Sequence, residues 1–215
     1  YYMHLSLPVS LGEGIDKLTI LDIKCEKILD KRKIDVQKEY DILYEKLKRF
    51  IEEYNELYIS MRKINLLIWN QMDILRDGNI SDEDYTKLCR ECIDSNDIRF
   101  RIKNKINLIS NSEIKEQKSY KINRLFFKLN CNQECISLFI KPIKYFSFIY
   151  DEIIIESSKN IDEIKNKFYY DNTIKYNIEL IEINIKQEYI FDKNYYIIDE
   201  IYDIMNINNN KLNLF

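Results

Sequence analysis

A long heptad pattern constrains this fold more than any other feature of the sequence. Between residues 36 and 75, apolar side chains recur alternately four and three positions apart, and neither Gly nor Pro interrupts them. The repeating residues are Val36, Tyr40, Leu43, Leu47, Phe50, Tyr54, Leu57, Met61, Ile64 and Ile68, followed by Leu75. A pattern sustained over several heptads predicts one long helix with a coiled-coil-like seam, roughly 60 Å in length.

Two further helices are predicted around the long one, which gives an antiparallel helical hairpin, or three-helix, domain over residues 1–115. The first helix covers about residues 13–29, and Ser10 or Gly12 is its expected cap. The third begins near Ser81, where the acidic residues that follow suit a helix N-terminus. Because this third helix carries apolar residues on two faces, it is expected to be covered from both sides.

From about residue 122 the pattern changes to short apolar runs separated by helical segments. The runs "INRLFFKL", "DEIIIES" and "IKYNIELIEI" are typical of strands, whereas "ECISLFIKPIKYFSFIY", "NIDEIKNKFYYD" and "YYIIDEIYDIM" are typical of helices. Strands that alternate with helices predict a small βαβαβ, Rossmann-like unit over residues 121–215. The predicted fold class is therefore α+β, a long helical hairpin followed by this unit.

Composition and motifs argue against several classes of function. The chain has 215 residues and a formal net charge of −3, with acidic and basic residues interleaved. This pattern provides no positive electrostatic field that would attract nucleic acid. No apolar run approaches the ~18 residues that a membrane-spanning helix needs. His4 is the only histidine, and no glycine-rich phosphate-binding motif is present. Catalysis therefore has no candidate residue, and whether the chain is an enzyme stays open.

The cysteines indicate a reducing compartment. There are five of them, and the odd number together with the lack of a secretion signal favours free thiols and a cytoplasmic location. Cys89 and Cys92 form one pair and Cys131 and Cys135 another, and four thiolates could bind zinc. The first pair lies inside a helical pattern without a glycine-bearing turn, which favours buried core thiols. Neither a metal nor a cofactor is expected.

Two of the predicted helices place charged side chains beside an apolar seam. The residues concerned are Glu13, Asp16, Lys17 and Lys24 on the first helix, and Asn96, Asp97, Arg99, Lys103 and Asn107 on the third. Because burying unpaired charges costs several kcal/mol, the two strips are expected to face and neutralise each other. The cluster is then either a structural network that fixes helix register or an anion site for a phosphate or carboxylate.

Three blocks in these regions carry a resemblance: "LPVSLGEGIDKLTILDIK", "LIWNQMDILR" and "NDIRFRIKNKINLISNSEIKEQKSY". In this order they resemble a domain family of unknown function from bacteria and viruses, often found beside or fused to glycosyltransferases and other surface-glycan genes. The match covers about residues 7–120, and Gly14 departs from the family pattern, which usually has an apolar residue there. The resemblance implies special roles for Gly12, Glu13, Asp16, Lys17, Lys24, Trp69, Asp73, Arg76, Asn96, Asp97, Arg99, Lys103, Asn107, Glu116, Lys118, Ser119 and Tyr120.

Residues 121–205 are similar to the N-terminal half of a viral heptosyltransferase-like glycosyltransferase. Such enzymes commonly have a Gly-Asp pair after the first strand, where this chain reads "NCNQEC". Two functions are therefore expected: a non-catalytic accessory or interaction module in glycan biosynthesis, or an incomplete glycosyltransferase, a GT-B-like half with a nucleotide-sugar donor. The expected partners are a protein or a second copy bound through the long helix, and a phosphate-bearing or nucleotide-sugar ligand.

Overall fold

The chain divides into two compact units, Tyr1–Gln117 and Lys118–Phe215. Among the residues that the structure describes, the first unit contains four long α-helices, and the second contains four short β-strands and a helical stretch at residues 142–149. This is a computed structural model, and the residues that it describes are 7–119, 122–129, 142–157, 166, 178–182 and 195–198.

The helices of the first unit are α1 (Leu11–Lys27), α2 (Lys33–Glu53), α3 (Asn55–Asp77) and α4 (Asp82–Ile109). Helix α1 packs against each of the other three, and α3 packs against α4. The core between them consists of almost fully buried apolar side chains, among them Ile15, Leu18, Leu57, Met61, Ile64, Ile102 and Ile106. Because α1 contacts all the others, its polar residues lie beside several helix–helix interfaces.

The helix ends follow local signals in the sequence. The Ser10 hydroxyl accepts a hydrogen bond from the Glu13 N–H at the start of α1, and Ser81 does the same for Asp84 at the start of α4. Helix α3 ends at Asp77 and is capped by Gly78, whose φ of 69° is a left-handed conformation that glycine adopts without strain. Of the two predicted caps of the first helix, Ser10 is the one observed, and the predicted start of the third helix near Ser81 is confirmed.

The prediction of one continuous helix over residues 36–75 is wrong at Tyr54. This residue has φ −125° and ψ 46°, and it separates α2 from α3. Phe50 before the break and Leu57 after it are both buried, and both helices pack on α1. A strict seven-residue repeat drifts around the axis of a straight helix. The break at Tyr54 therefore allows both halves of the seam to bury against the same short helix.

The strands of the second unit are β1 (Arg124–Leu129), β2 (Glu152–Ser157), β3 (Ile178–Glu182) and β4 (Tyr195–Ile198). They pair in parallel, in the order β3-β2-β1-β4. Ile153, Ile154 and Ile155 are all buried, and successive side chains of a strand point to opposite faces. Both faces of β2 are therefore covered.

The predicted α+β fold with a βαβαβ Rossmann-like unit is contradicted. The described chain is mainly helical, since α1 to α4 contain 17, 21, 23 and 28 residues and the strands only 6, 6, 5 and 4. A Rossmann-like unit needs a crossover helix between successive strands. Residues 142–149, between β1 and β2, are the one helical stretch longer than a single residue that the structure describes in this unit.

The C-terminal segments explain this error. The letters "YYII", which the sequence predicts as the start of the last helix, form β4 and pair with β1. Aromatic and β-branched residues favour a strand when a neighbouring strand is available to pair with them. The predicted helix "NIDEIKNKFYYD" lies outside the described residues, apart from residue 166, which is helical.

Across the described part of the chain, none of the helices combines the length and apolarity that crossing a membrane requires.

Candidate functional site

The N-terminus of α1 docks on the C-terminal end of α4. The Gly12 N–H donates to Asn107 Oδ1 over 2.8 Å, the Leu11 N–H donates to Ser112 Oγ over 3.4 Å, and the Glu13 N–H donates to the Ser10 cap. The first N–H groups of a helix have no partner within the helix and form a ready site for an anion when they are open. Here side chains of the protein already occupy them.

Gly12 allows the two helices to approach this closely. A Cβ atom at this position would lie 2.6 Å from the carbonyl oxygen of Lys103 and 2.8 Å from Asn107 Oδ1. Both distances are shorter than a carbon–oxygen contact tolerates, and the first involves a backbone atom that cannot rotate away. Gly14 differs, because its nearest neighbours are the methyl groups of Leu47 at 3.5 and 3.6 Å. The close approach therefore requires glycine at position 12 and not at position 14.

Lys103 is the centre of the polar cluster. Its ammonium lies 2.6 Å from Glu13 Oε1 and also contacts the Glu116 carboxylate, and its side chain is only 7% exposed. Burial alone would lower the pKa of Lys103, but the hydrogen bonds with Glu116 and Glu13 more than offset this effect. The pKa is therefore raised above its ordinary value, and the side chain is a charged group held between two carboxylates.

Asp16 forms a second buried contact, which extends the cluster to α3. The Asn65 side-chain amide donates to Asp16 Oδ1 over 2.8 Å and to the Thr19 hydroxyl over 2.9 Å. Arg99 Nε lies 3.9 Å from the same Asp16 oxygen, which is an ion pair without a hydrogen bond. Since Asp16 and Asn65 are 6% and 4% exposed, this contact is shielded from water.

The structure thus brings together part of the predicted cluster. Glu13 lies against Lys103, Asp16 against Arg99, and Asn107 against the start of α1. These contacts join the two polar strips as the sequence predicts.

The remaining predicted site residues lie elsewhere. Lys17 forms an exposed ion pair with Glu39 on α2 at 2.6 Å, and the Asn96 side chain donates to the Cys92 carbonyl within α4. Lys24 is half-buried on α1, and Asp97 is half-buried on α4. At the start of the second unit Lys118 is half-buried and Ser119 is exposed, and Tyr120 lies outside the described residues.

A polar network between α1 and α3 was not predicted. Arg62 binds Asp22 Oδ2 at 2.5 Å and Glu26 Oε2 at 2.7 Å, and the Tyr58 hydroxyl donates to the same Asp22 oxygen over 3.4 Å. The sequence contains a signal for it, because Arg62 follows the seam residue Met61 directly and Asp22 and Glu26 are one turn apart. Charges adjacent to a seam are frequent, however, and their partners depend on how the helices are placed.

Tyr58 gives this network a testable pH dependence. Burial, followed by the negative charge of Asp22, raises the pKa of Tyr58 well above its ordinary value of 10.0. In the unfolded chain the phenol ionises near pH 10, whereas in the folded protein it stays protonated. The stability that comes from keeping it neutral is therefore fully present below pH 10 and is lost as the pH rises further.

We expect Tyr58→Phe to lower the free energy of unfolding by about 0.5–1.5 kcal/mol at neutral pH, because it removes a hydrogen bond. The free energy of unfolding should then fall less steeply with pH above 10 in the variant than in the wild type, since phenylalanine cannot ionise. Denaturant titrations at several pH values measure both effects. Tyr85→Phe, at an exposed site on α4, should follow the wild-type curve. If the free energy of unfolding depends on pH in the same way in the wild type and in Tyr58→Phe, the pKa of Tyr58 is not raised by folding.

The chemistry available to the cluster is limited. Within the described residues no group of three or more His, Cys, Asp or Glu side chains is arranged to hold a metal ion. Cys92 is buried and lies 3.8 Å from the sulfur of Met72, as a core thiol would, and Cys89 is half-buried; Cys131 and Cys135 lie outside the described residues. The contacts of the cluster join α1 to α3 and to α4.

Comparison with known proteins assigns the chain to a family without assigning an activity. No curated protein and no solved structure matched it. A family model described as a family of unknown function, DUF6165, matches residues 5–126. This range includes all four helices and every residue of the polar cluster, and it covers more than half of the chain. The chain therefore belongs to the DUF6165 family.

Proposed function

We propose that this protein is a non-catalytic accessory or interaction module of glycan biosynthesis in the cytoplasm. The observation that carries the proposal is the closure of the polar cluster around Lys103, which is almost fully buried between Glu13 and Glu116. A cation that binds a phosphate must direct its N–H donors at the ligand. The Lys103 donors are directed at carboxylates of the same chain instead.

The buried contacts suit a structural role for the cluster. Glu13–Lys103 and Gly12–Asn107 connect α1 to α4, and Asp16–Asn65 connects α1 to α3. Buried polar contacts of this kind fix the register of helices because a shifted helix would leave them unpaired. The cluster would then hold the four-helix unit rigid while its outer surfaces bind a protein partner.

The link to glycan biosynthesis comes from the sequence blocks within residues 7–120, which resemble a family whose members lie beside glycosyltransferase genes. Copurification tests it directly. A glycosyltransferase encoded next to this chain should elute with the tagged protein from its native source. Elution of the tagged protein without any glycosyltransferase would contradict the link.

Titration calorimetry with UDP-glucose and, separately, with inorganic phosphate tests the absence of ligand chemistry. We expect no binding heat from either compound up to millimolar concentration, because the cluster's buried lysine is already neutralised. Binding of UDP-glucose with a micromolar dissociation constant, about −8 kcal/mol, would overturn the proposal in favour of an incomplete glycosyltransferase. Binding of phosphate that is lost in Arg99→Gln would indicate an anion site instead.

A further inference from the structure

The side-chain amide of Asn107 has a buried donor without a partner. Asn107 is completely buried on α4, and its Oδ1 accepts a hydrogen bond from the Gly12 N–H at the start of α1. Within the part of the chain that the structure describes, no atom accepts a hydrogen bond from its Nδ2. Buried polar groups are nearly always bonded to the protein or to an ordered water, because an unpaired donor is costly. The Nδ2 of Asn107 therefore points to a further group at this position.

The orientation of the Asn107 amide is fixed by its contact with α1. Turning the amide over would point the Nδ2 hydrogens at the Gly12 N–H, so that two donors would face each other. The helices also approach closely here, since a Cβ atom on Gly12 would lie 2.8 Å from Asn107 Oδ1. The unpaired donor is thus a consequence of how α1 docks on α4.

The charges beside Asn107 decide which kind of molecule fits there. Lys103 precedes Asn107 by about one turn on the same face of α4. Its ammonium contacts the carboxylates of Glu13 and Glu116. One positive and two negative groups leave a net negative charge, which would repel an anion, whereas the hydrogens of Nδ2 would repel a cation. A neutral molecule that accepts one hydrogen bond and donates another suits both neighbours, and water does so with the least volume.

The chain returns to this place after α4. Asn111 has a φ of 49°, in the left-handed region, and the Ser112 N–H donates back to the Asn107 carbonyl over 2.9 Å. After this reversal Glu116 lies against Lys103. Glu116 Oε2 is buried there, and a carboxylate oxygen can accept more than one hydrogen bond. The Glu116 carboxylate is therefore an acceptor at the same end of α4 as the Asn107 donor.

We infer that the polar cluster binds one internal water molecule between Asn107 and Glu116. The water accepts a hydrogen bond from Asn107 Nδ2 and donates one to Glu116 Oε2. It connects the segment that follows α4 to the same amide that holds the start of α1. Buried waters typically bond in this way to polar groups that would otherwise be unsatisfied. The site is independent of the proposed link to glycan biosynthesis.

NMR spectroscopy of the isotope-labelled full chain tests the inference. In water-selective NOE and ROE spectra, the Asn107 side-chain amide should show cross-peaks to water of opposite sign, which distinguishes a bound water from proton exchange. Asn65 is the internal control, because its amide is also buried but already donates to Asp16 and Thr19. Its cross-peak to water should be absent or much weaker. An Asn107 cross-peak that is absent, or no stronger than that of Asn65, would overturn the inference.

Two variants test the assignment of Glu116 as the acceptor. Glu116→Leu removes this carboxylate and leaves Lys103 its other one, so the Asn107 cross-peak to water should be lost. Glu113→Leu, at an exposed position of the same segment, should keep the wild-type cross-peak. Unchanged Asn65 amide resonances show that both variants are folded. A wild-type cross-peak in Glu116→Leu would mean that the site is wrongly assigned. The calorimetry with phosphate and UDP-glucose tests the proposed function separately.

Discussion

Gly12→Ala should destabilise the protein by about 1–3 kcal/mol, the cost of forcing an extra methyl group into a well-packed contact. The new Cβ would meet the Lys103 carbonyl at 2.6 Å and Asn107 Oδ1 at 2.8 Å. To remove the clash, α1 would have to move away from α4. That movement would lengthen the Gly12–Asn107 hydrogen bond and the Glu13–Lys103 ion pair together.

Gly14→Ala is the matched control, two residues further along the same helix. Its new methyl group would lie 3.5 Å from Leu47, which is an ordinary packing distance. Alanine is more favourable than glycine inside a helix by about 0.5–1 kcal/mol, so this variant should be more stable than the wild type. Denaturant unfolding of both variants measures the difference. If the two substitutions change stability in the same direction, the close approach at Gly12 does not control the α1–α4 contact.

The four-helix unit was predictable where the signals are local. The caps at Ser10 and Ser81 and the buried stripe of α1 depend on residues a few positions apart, so the sequence contains the whole signal. That the polar strips of the first and third predicted helices face each other was also predictable, because charges beside two seams need partners. The resemblance pointed to Gly12, but only the position of α4 gives the physical reason for a glycine there.

Other features depend on packing between distant segments and could not be predicted. The break at Tyr54 contains neither Gly nor Pro, and it arises because one short helix covers both halves of the seam. The strand β4 exists through its pairing with β1, whose paired residues lie 71 positions earlier in the chain. In the cluster, Lys17 was expected to face α4, but it pairs with the carboxylate of Glu39 on α2. Periodicity identifies a polar strip and does not show which neighbour each side chain selects.

Lys103→Met should be the other strongly destabilising substitution, by about 2–4 kcal/mol. Breaking a buried ion pair typically costs about 3–5 kcal/mol because the remaining charge has no partner. The expected cost is lower here, since Glu13 and Glu116 are 41% and 32% exposed and water screens them in part. The raised pKa of Lys103 keeps it charged across the neutral range. Its contribution is therefore present below the ordinary lysine value of about 10.4 and is lost only as the pH rises further.

Lys17→Met is the matched control for Lys103→Met. The Lys17–Glu39 pair is as short as the Lys103–Glu13 pair, 2.6 Å, but its side chains are 62% and 50% exposed. Exposed pairs contribute about 0–1 kcal/mol, so this variant should remain within that range of the wild type. Chemical denaturation at neutral pH compares the two variants. Equal losses for Lys103→Met and Lys17→Met would mean that burial does not strengthen the Lys103 pair.

A triple variant separates lost attraction from unpaired charge. Lys103→Met combined with Glu13→Gln and Glu116→Gln removes both carboxylates that the single variant leaves beside each other. If their repulsion and burial cause most of the loss, the triple variant should regain at least about half of it, since neutral amides are cheaper to bury than charges. No recovery would show instead that the lysine stabilises α4 through the packing of its long side chain, which methionine does not reproduce.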